Sequence, residues 1–177
     1  MLAGPIVLAG LGLLAGAASA EPARFGFGRP ATPREVAAED IDVRADGAGL
    51  PAGQGSVEQG EALFASACAA CHGERGEKAV IPALQLTGGR GTLASPATMQ
   101  TVGSYWPYAT TLFDYIRRAM PFQAPQSLAP DQAYAVTAYV LRLNGIVPDG
   151  TVLNAGNLPN VQMPNRNGFT RVYNLSR

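Results

Sequence analysis

Five consecutive residues, Cys68-Ala69-Ala70-Cys71-His72, hold both cysteines and the one histidine of this chain. Two thiols three positions apart, followed at once by an imidazole, form the C-x-x-C-H arrangement that attaches c-type haem. Each thiol can add to one vinyl group of a porphyrin as a thioether. The imidazole then lies beneath the iron as proximal ligand. One helical turn presents all three groups toward a single macrocycle. Rival chemistries fit less well. A thioredoxin-like dithiol follows a strand of a βαβ unit, whereas Ser56 to Ala70 is Ala-rich and helical in pattern. A zinc site takes four ligands, commonly Cys or His, and here carboxylates would have to complete it. A disulfide closing so tight a loop is an odd use of the only two thiols.

An iron held by His72 needs a sixth ligand if it is to pass electrons rather than bind small molecules. Four methionines exist. Met1 leaves with the leader described below, so Met99, Met120 and Met163 remain. Met120 is the first choice. It lies in Ala119-Met120-Pro121-Phe122, where proline ends a helix and the chain can present a thioether. Met163, in Met163-Pro164-Asn165, is the second. His/Met ligation raises the reduction potential relative to bis-His ligation.

The remaining sequence must position these groups. A chain of 177 residues is long enough for one domain with a core. Zero net charge offers no basic surface for nucleic acid and no strong field for an anionic membrane. Abundant Gly and Pro predict long irregular connections. Residues 2–18 are almost wholly apolar, and Ala18-Ser19-Ala20 matches a small-x-small cleavage site, which places cleavage before Glu21. The first residues lack the usual Lys or Arg. An uncleaved anchor is the alternative, although the run is Gly-broken and short for a span of about 20 residues. Export to the periplasm agrees with the haem motif, because c-type haem is attached outside the bacterial cytoplasm. No stable membrane span then remains. The expected organisation is a leader over 1–20, a polar arm over 21–55, a helical haem domain over 56–145 and a tail over 146–177.

Helix signals follow in order. Thr32 caps, Pro33 takes the first helical position and Glu35 completes a capping box, with an end near Asp40. Residues from there to Gly55 read as loop, so the arm is either a flexible leader or a partner-binding element. Ser56 and Gln59 form a second capping box. Val57, Gly60, Leu63, Phe64 and Ala67 then share one helical face, and Gly60 lets another helix approach closely. Gly88-Gly89-Arg90-Gly91 lacks the lysine and the helix of a phosphate loop. Arg90 either pairs with a haem propionate or is a solvated surface arginine. Tyr105-Trp106-Pro107-Tyr108 is the densest aromatic cluster. Trp106 and Tyr108 either border the haem and bond a propionate or are ordinary core aromatics. Leu112, Tyr115, Ile116 and Ala119 continue at helical spacing. The last helix is expected over Pro130–Leu143, with Ala133, Val136, Val140 and Leu143 as its stripe, Tyr139 beside it and Gly145 just past its end. Ala129 is a weak cap. Beyond Ile146 the tail either wraps the domain or lies in an interface.

These features together resemble a class I cytochrome c, in which the methionine ligand lies between the haem helix and the last helix, as Met120 does here. In single-haem members a Pro-x-Leu follows the proximal ligand. The resemblance implies that the Pro82 carbonyl accepts the His72 Nδ1–H and that Leu84 packs on the porphyrin. The need itself is physical, since an acceptor fixes the tautomer of the ligand. Three further strings, Phe25 to Thr32, Tyr105 to Pro121 and Met163 to Phe169, resemble the haem subunits of bacterial sulfite dehydrogenases. They are also similar to the haem part of the sulfane dehydrogenase of the sulfur-oxidation (Sox) pathway. The resemblance implies an all-α fold, a single cytochrome c domain with extended arms and one covalent haem c. It further implies that electrons arrive singly from a molybdenum-cofactor subunit and leave to a downstream cytochrome c. A single haem motif fits the sulfite dehydrogenase type better than larger two-haem relatives. A free-standing carrier is the alternative. A chain that itself turns over a sulfur substrate would want an open or thiolate-ligated iron, and no spare cysteine exists.

Overall fold

In the computed structural model the described residues are 27–81 and 84–170. The expected leader over 1–20 and Pro82 lie outside them. Thr32 accepts from the Glu35 amide while the Glu35 carboxylate accepts from the Thr32 amide, and this box starts α1 (Pro33–Glu39). Arg29 grips both Glu35 oxygens, at 2.8 and 2.5 Å. None of the α1 residues is buried.

The same device starts α2 (Val57–Ala67), where the Ser56 side chain accepts from the Gln59 amide and Gln59 accepts in return from the Ser56 amide. A one-turn α3 (Ala69–His72) carries the haem motif directly beyond it. Next comes α4 (Ala109–Ala119), which stops where Met120 turns extended ahead of Pro121, as the residue before a proline prefers. The longest helix among the described residues is α5 (Pro130–Leu143), started by Pro130 at its first position, with Gln132 accepting from the Ala129 amide.

The core lies where α5 crosses α2 and α4. A Cβ on Gly60 would collide with the backbone of Ala135 and with Tyr139, so the missing side chain is what lets the two helices meet. Phe64 and Tyr139 pack with ring centroids 5.3 Å apart, and Phe113 meets Tyr134 at 4.4 Å. Phe64, Phe113, Tyr134 and Leu141 are fully enclosed. Burying aliphatic or aromatic side chains of this size contributes roughly 1.5–3 kcal/mol each.

Two short strands, β1 (Gln54–Ser56) and β2 (Val152–Asn154), pair antiparallel with Gly55 opposite Leu153. The structure therefore adds a small sheet to the expected helices. Strands this short have no hydrophobic period to read, which is why the sequence pattern showed only loop.

The arm divides in two. Residues 41–55 are packed on the domain. Val43 is buried, its amide donates to Asp114 at 2.9 Å, and the Ile41 and Ala45 carbonyls accept from Arg117 and Thr110. Tyr134 donates to the Pro51 carbonyl at 2.9 Å. A flexible leader is not what this half is. The tail wraps the domain: Leu153, Leu158 and Met163 are all buried. Among the described residues no helix is long and apolar enough to cross a membrane.

Candidate functional site

A cavity of about 490 Å³ opens between α2–α3, the C-terminal half of α4, α5 and the loop from Leu84 to Val102. Cys68, Cys71, His72 and Met120 all line it. Each arrives there for a local reason. Cys68 ends α2 and starts α3, so Cys71 and His72 fall within the next turn. Met120 stands at the end of α4, where the chain leaves helical geometry. The far wall is apolar, from Val136 and Val140 of the α5 stripe and Leu112 and Ile116 of α4.

His72 Nδ1 donates to the Leu84 carbonyl, 2.5 Å away. That bond fixes the tautomer and leaves Nε2 with its lone pair free for a metal. The acceptor implied by the resemblance, Pro82, lies outside the described residues; the described carbonyl that meets Nδ1 is that of Leu84. Leu84 also lines the cavity with its expected neighbours. The loop bearing it is held in turn, because the Leu86 and Thr87 amides both donate to the Gly76 carbonyl, at 2.8 and 3.1 Å.

The rival chemistries lose ground on this geometry. Burial, with a smaller contribution from Cys71, pushes the Cys68 thiol above its ordinary pKa, opposite to the lowered value of a reactive dithiol. Among the described residues no three His, Cys, Asp or Glu side chains gather where they could hold a metal ion, so zinc lacks its carboxylates. Two thiols, a fixed imidazole, a thioether and an apolar chamber fit a covalently bound haem.

Other expected site residues separate. Trp106 lines the cavity, edge-on to Tyr115 at 5.7 Å and 77°. Tyr108 does not: it precedes α4 and lies under the Arg166 guanidinium, 5.0 Å from its ring centroid. Arg90 is also elsewhere, donating to the Asn144 carbonyl at 2.6 Å and so closing the end of α5. Its arginine charge serves a helix C-terminus, which no spacing rule would have distinguished from a propionate partner. Of the methionines, Met163 is in the core and Met99 is at the surface, and neither lines the cavity. Tyr115, Gln85, Gln100 and Phe122 are cavity residues that the sequence pattern did not single out. Tyr115 shows why, since helical spacing marked it only as one of an apolar stripe. No Asp, Glu, Lys or Arg lines the cavity among the described residues.

Comparison with known proteins agrees with this site. The cytochrome c family profile matches residues 57–144, from the start of α2 to the end of α5. The crystal structure of the sulfane dehydrogenase SoxCD from Paracoccus pantotrophus is similar at 46% identity with a TM-score of 0.76, over 83% of this chain and 72% of that one. No curated protein matches the chain significantly. With the matched span coinciding with the helices that build the cavity, and with Cys68, Cys71 and His72 inside it, the chain belongs to the cytochrome c family.

Proposed function

We propose that this chain is the electron-accepting haem subunit of a molybdenum-dependent dehydrogenase that oxidises a sulfur compound, carrying one haem c. The observation that supports this most is the convergence of Cys68, Cys71, His72 and Met120 on one chamber with no charged side chain among its described lining residues. When bound, haem supplies one-electron storage. Cys68 and Cys71 would tether it, and His72, oriented by the Leu84 carbonyl, would ligate it. Met120 is the cavity thioether that would supply a further ligand, and the apolar residues of α4 and α5 would exclude water, a control on the potential. On this reading oxidation of the substrate belongs to a partner, and the chain's chamber, lined by no Asp, Glu, Lys or Arg among the described residues, serves the electron.

Two substrate readings stand. The single C-x-x-C-H favours a sulfite dehydrogenase. The 46% identity to a sulfane dehydrogenase favours that type. Periplasmic location, a cleaved leader and a downstream cytochrome c as acceptor complete the proposal.

The test is stopped-flow reduction of the purified holoprotein. Sulfite alone should reduce it slowly, and addition of the molybdenum subunit should bring reduction to that subunit's turnover rate. Fast reduction with a sulfane donor in place of sulfite selects the second substrate. Reduction by either at enzymatic rates without a partner would overturn the subunit assignment.

A further inference from the structure

The tail segment Met163–Phe169 clasps the aromatic segment that carries Trp106. Asn165 Nδ2 donates to the Tyr105 carbonyl at 2.7 Å, across 60 residues of sequence. Phe169 meets the Tyr105 ring edge-on, with centroids 5.2 Å apart and planes at 73°. Arg166 stacks over Tyr108. The clasp is itself shaped by a turn, with the Gly168 amide donating to the Asn165 carbonyl and the Arg166 amide to that of Met163. Met163 anchors it, only 4% exposed. The tail thus holds Tyr105 and Tyr108, one on each side of Trp106 and Pro107, and leaves Trp106 to face the cavity against Tyr115.

We infer that Asn165 is a positioning residue for the haem chamber: through the Tyr105 backbone it sets how Trp106 closes the cavity, and thereby the reduction potential. The tail is on this account a tuning element rather than a docking arm. The inference rests on haem occupying the cavity, but not on which partner or substrate the protein serves. Its physical basis is that the apolar shell around an iron controls water access. A wetter shell favours the ferric state, which carries the greater charge. A Trp106 freed from its clasp admits water and lowers the potential.

Trp106 is the one tryptophan in the chain, so its emission reports this position alone. The experiment compares holoprotein with Asn165→Asp, which keeps the size but removes the donor, and with Phe169→Leu, which removes the edge contact. At a fixed ambient potential the ferrous-to-ferric ratio should fall about threefold to tenfold in Asn165→Asp, tenfold being about 59 mV for a one-electron couple. Residual Trp106 emission, quenched by haem in the parent, should rise. Soret absorbance per protein should stay unchanged, showing that haem is still attached. Phe169→Leu should move both readouts in the same direction and serves if Asn165→Asp does not accumulate. Parental ratio and emission in the variants, whatever their melting temperatures, would overturn the inference. A parent protein without Soret absorbance would sink the haem reading instead. Emission wavelength then still decides: a red shift in Asn165→Asp supports the clasp and an unchanged maximum overturns it.

Discussion

Leu84 serves His72 twice, presenting its backbone carbonyl to Nδ1 at 2.5 Å while its side chain lines the same cavity. The ligand's orientation therefore depends on a loop, and that loop depends on Gly76, whose carbonyl receives two amides. Gly76 sits at φ +70°, and a Cβ there would press on Leu86 and Thr87. Gly76→Val should cost about 1–2 kcal/mol from left-handed strain alone. It should also disturb the imidazole, seen as a shifted His72 ring-proton resonance. A parental ring signal would show that the loop holds its place without Gly76.

Methionine identity separates ligand from core. Met120→Ala should abolish the weak near-infrared band of ferric His/Met haem while the fold persists. Met163→Ala should keep the band and lose about 2–5 kcal/mol in denaturant unfolding, as buried Met-to-Ala changes do. A band that vanishes with Met163 instead would reverse the assignment.

Gly60 is the contact on which the α2–α5 crossing depends. Because the neighbour is the Ala135 backbone rather than a mobile side chain, Gly60→Val should cost about 3 kcal/mol or more, the upper end for overpacking. Urea midpoints measure it. A loss below about 1 kcal/mol would mean that the helices separate easily.

The packed half of the arm makes a different prediction. Asp114→Ala leaves the Val43 amide without its acceptor, which should cost about 1–3 kcal/mol and loosen residues 41–45 in hydrogen exchange. Deleting residues 27–40 should leave the haem spectrum intact, whereas extending the deletion through residue 50 should damage the fold. Equal tolerance of both deletions would contradict the packing.

Acid should release α1 before the domain. Arg29 first, then the Thr32 amide and hydroxyl, hold the Glu35 carboxyl down at about 2, below its ordinary 4.5. A depressed carboxylate stabilises the fold above its unfolded value and loses that contribution as pH falls through the folded one. Amide shifts of residues 32–39 should be constant from pH 7 to about 5 and change between 4.5 and 2. Glu35→Gln should show the low-pH shifts at neutral pH.

Local rules carried much of this architecture. The capping boxes at Thr32 and Ser56, Pro130 at a helix start and Pro121 after a helix end each use residues a few positions apart, and each was readable. Cys68, Cys71, His72 and Met120, singled out because ligand chemistry restricts residue type, do meet at one cavity. What could not be read were pairings across long stretches of chain. Arg90 reaches Asn144, Asn165 reaches Tyr105, and Gln54 pairs with Asn154. In each, a polar group finds a backbone partner whose identity leaves no mark on the sequence. The Leu84 carbonyl that meets His72 Nδ1 left no mark either, since any residue type can supply one.

The β1–β2 pair brings Gln54 beside Asn154, and the Val57 amide also donates to the Thr151 carbonyl at 3.0 Å. The span that carries Cys68, Cys71, His72 and Met120 thus begins and ends at one place. A domain whose entry and exit points adjoin can be spliced into a host's surface loop without stretching either chain. Residues 54–154 close on themselves in this way, and the buried Val43 before them and Leu158 and Met163 after them seal the same core from outside the loop.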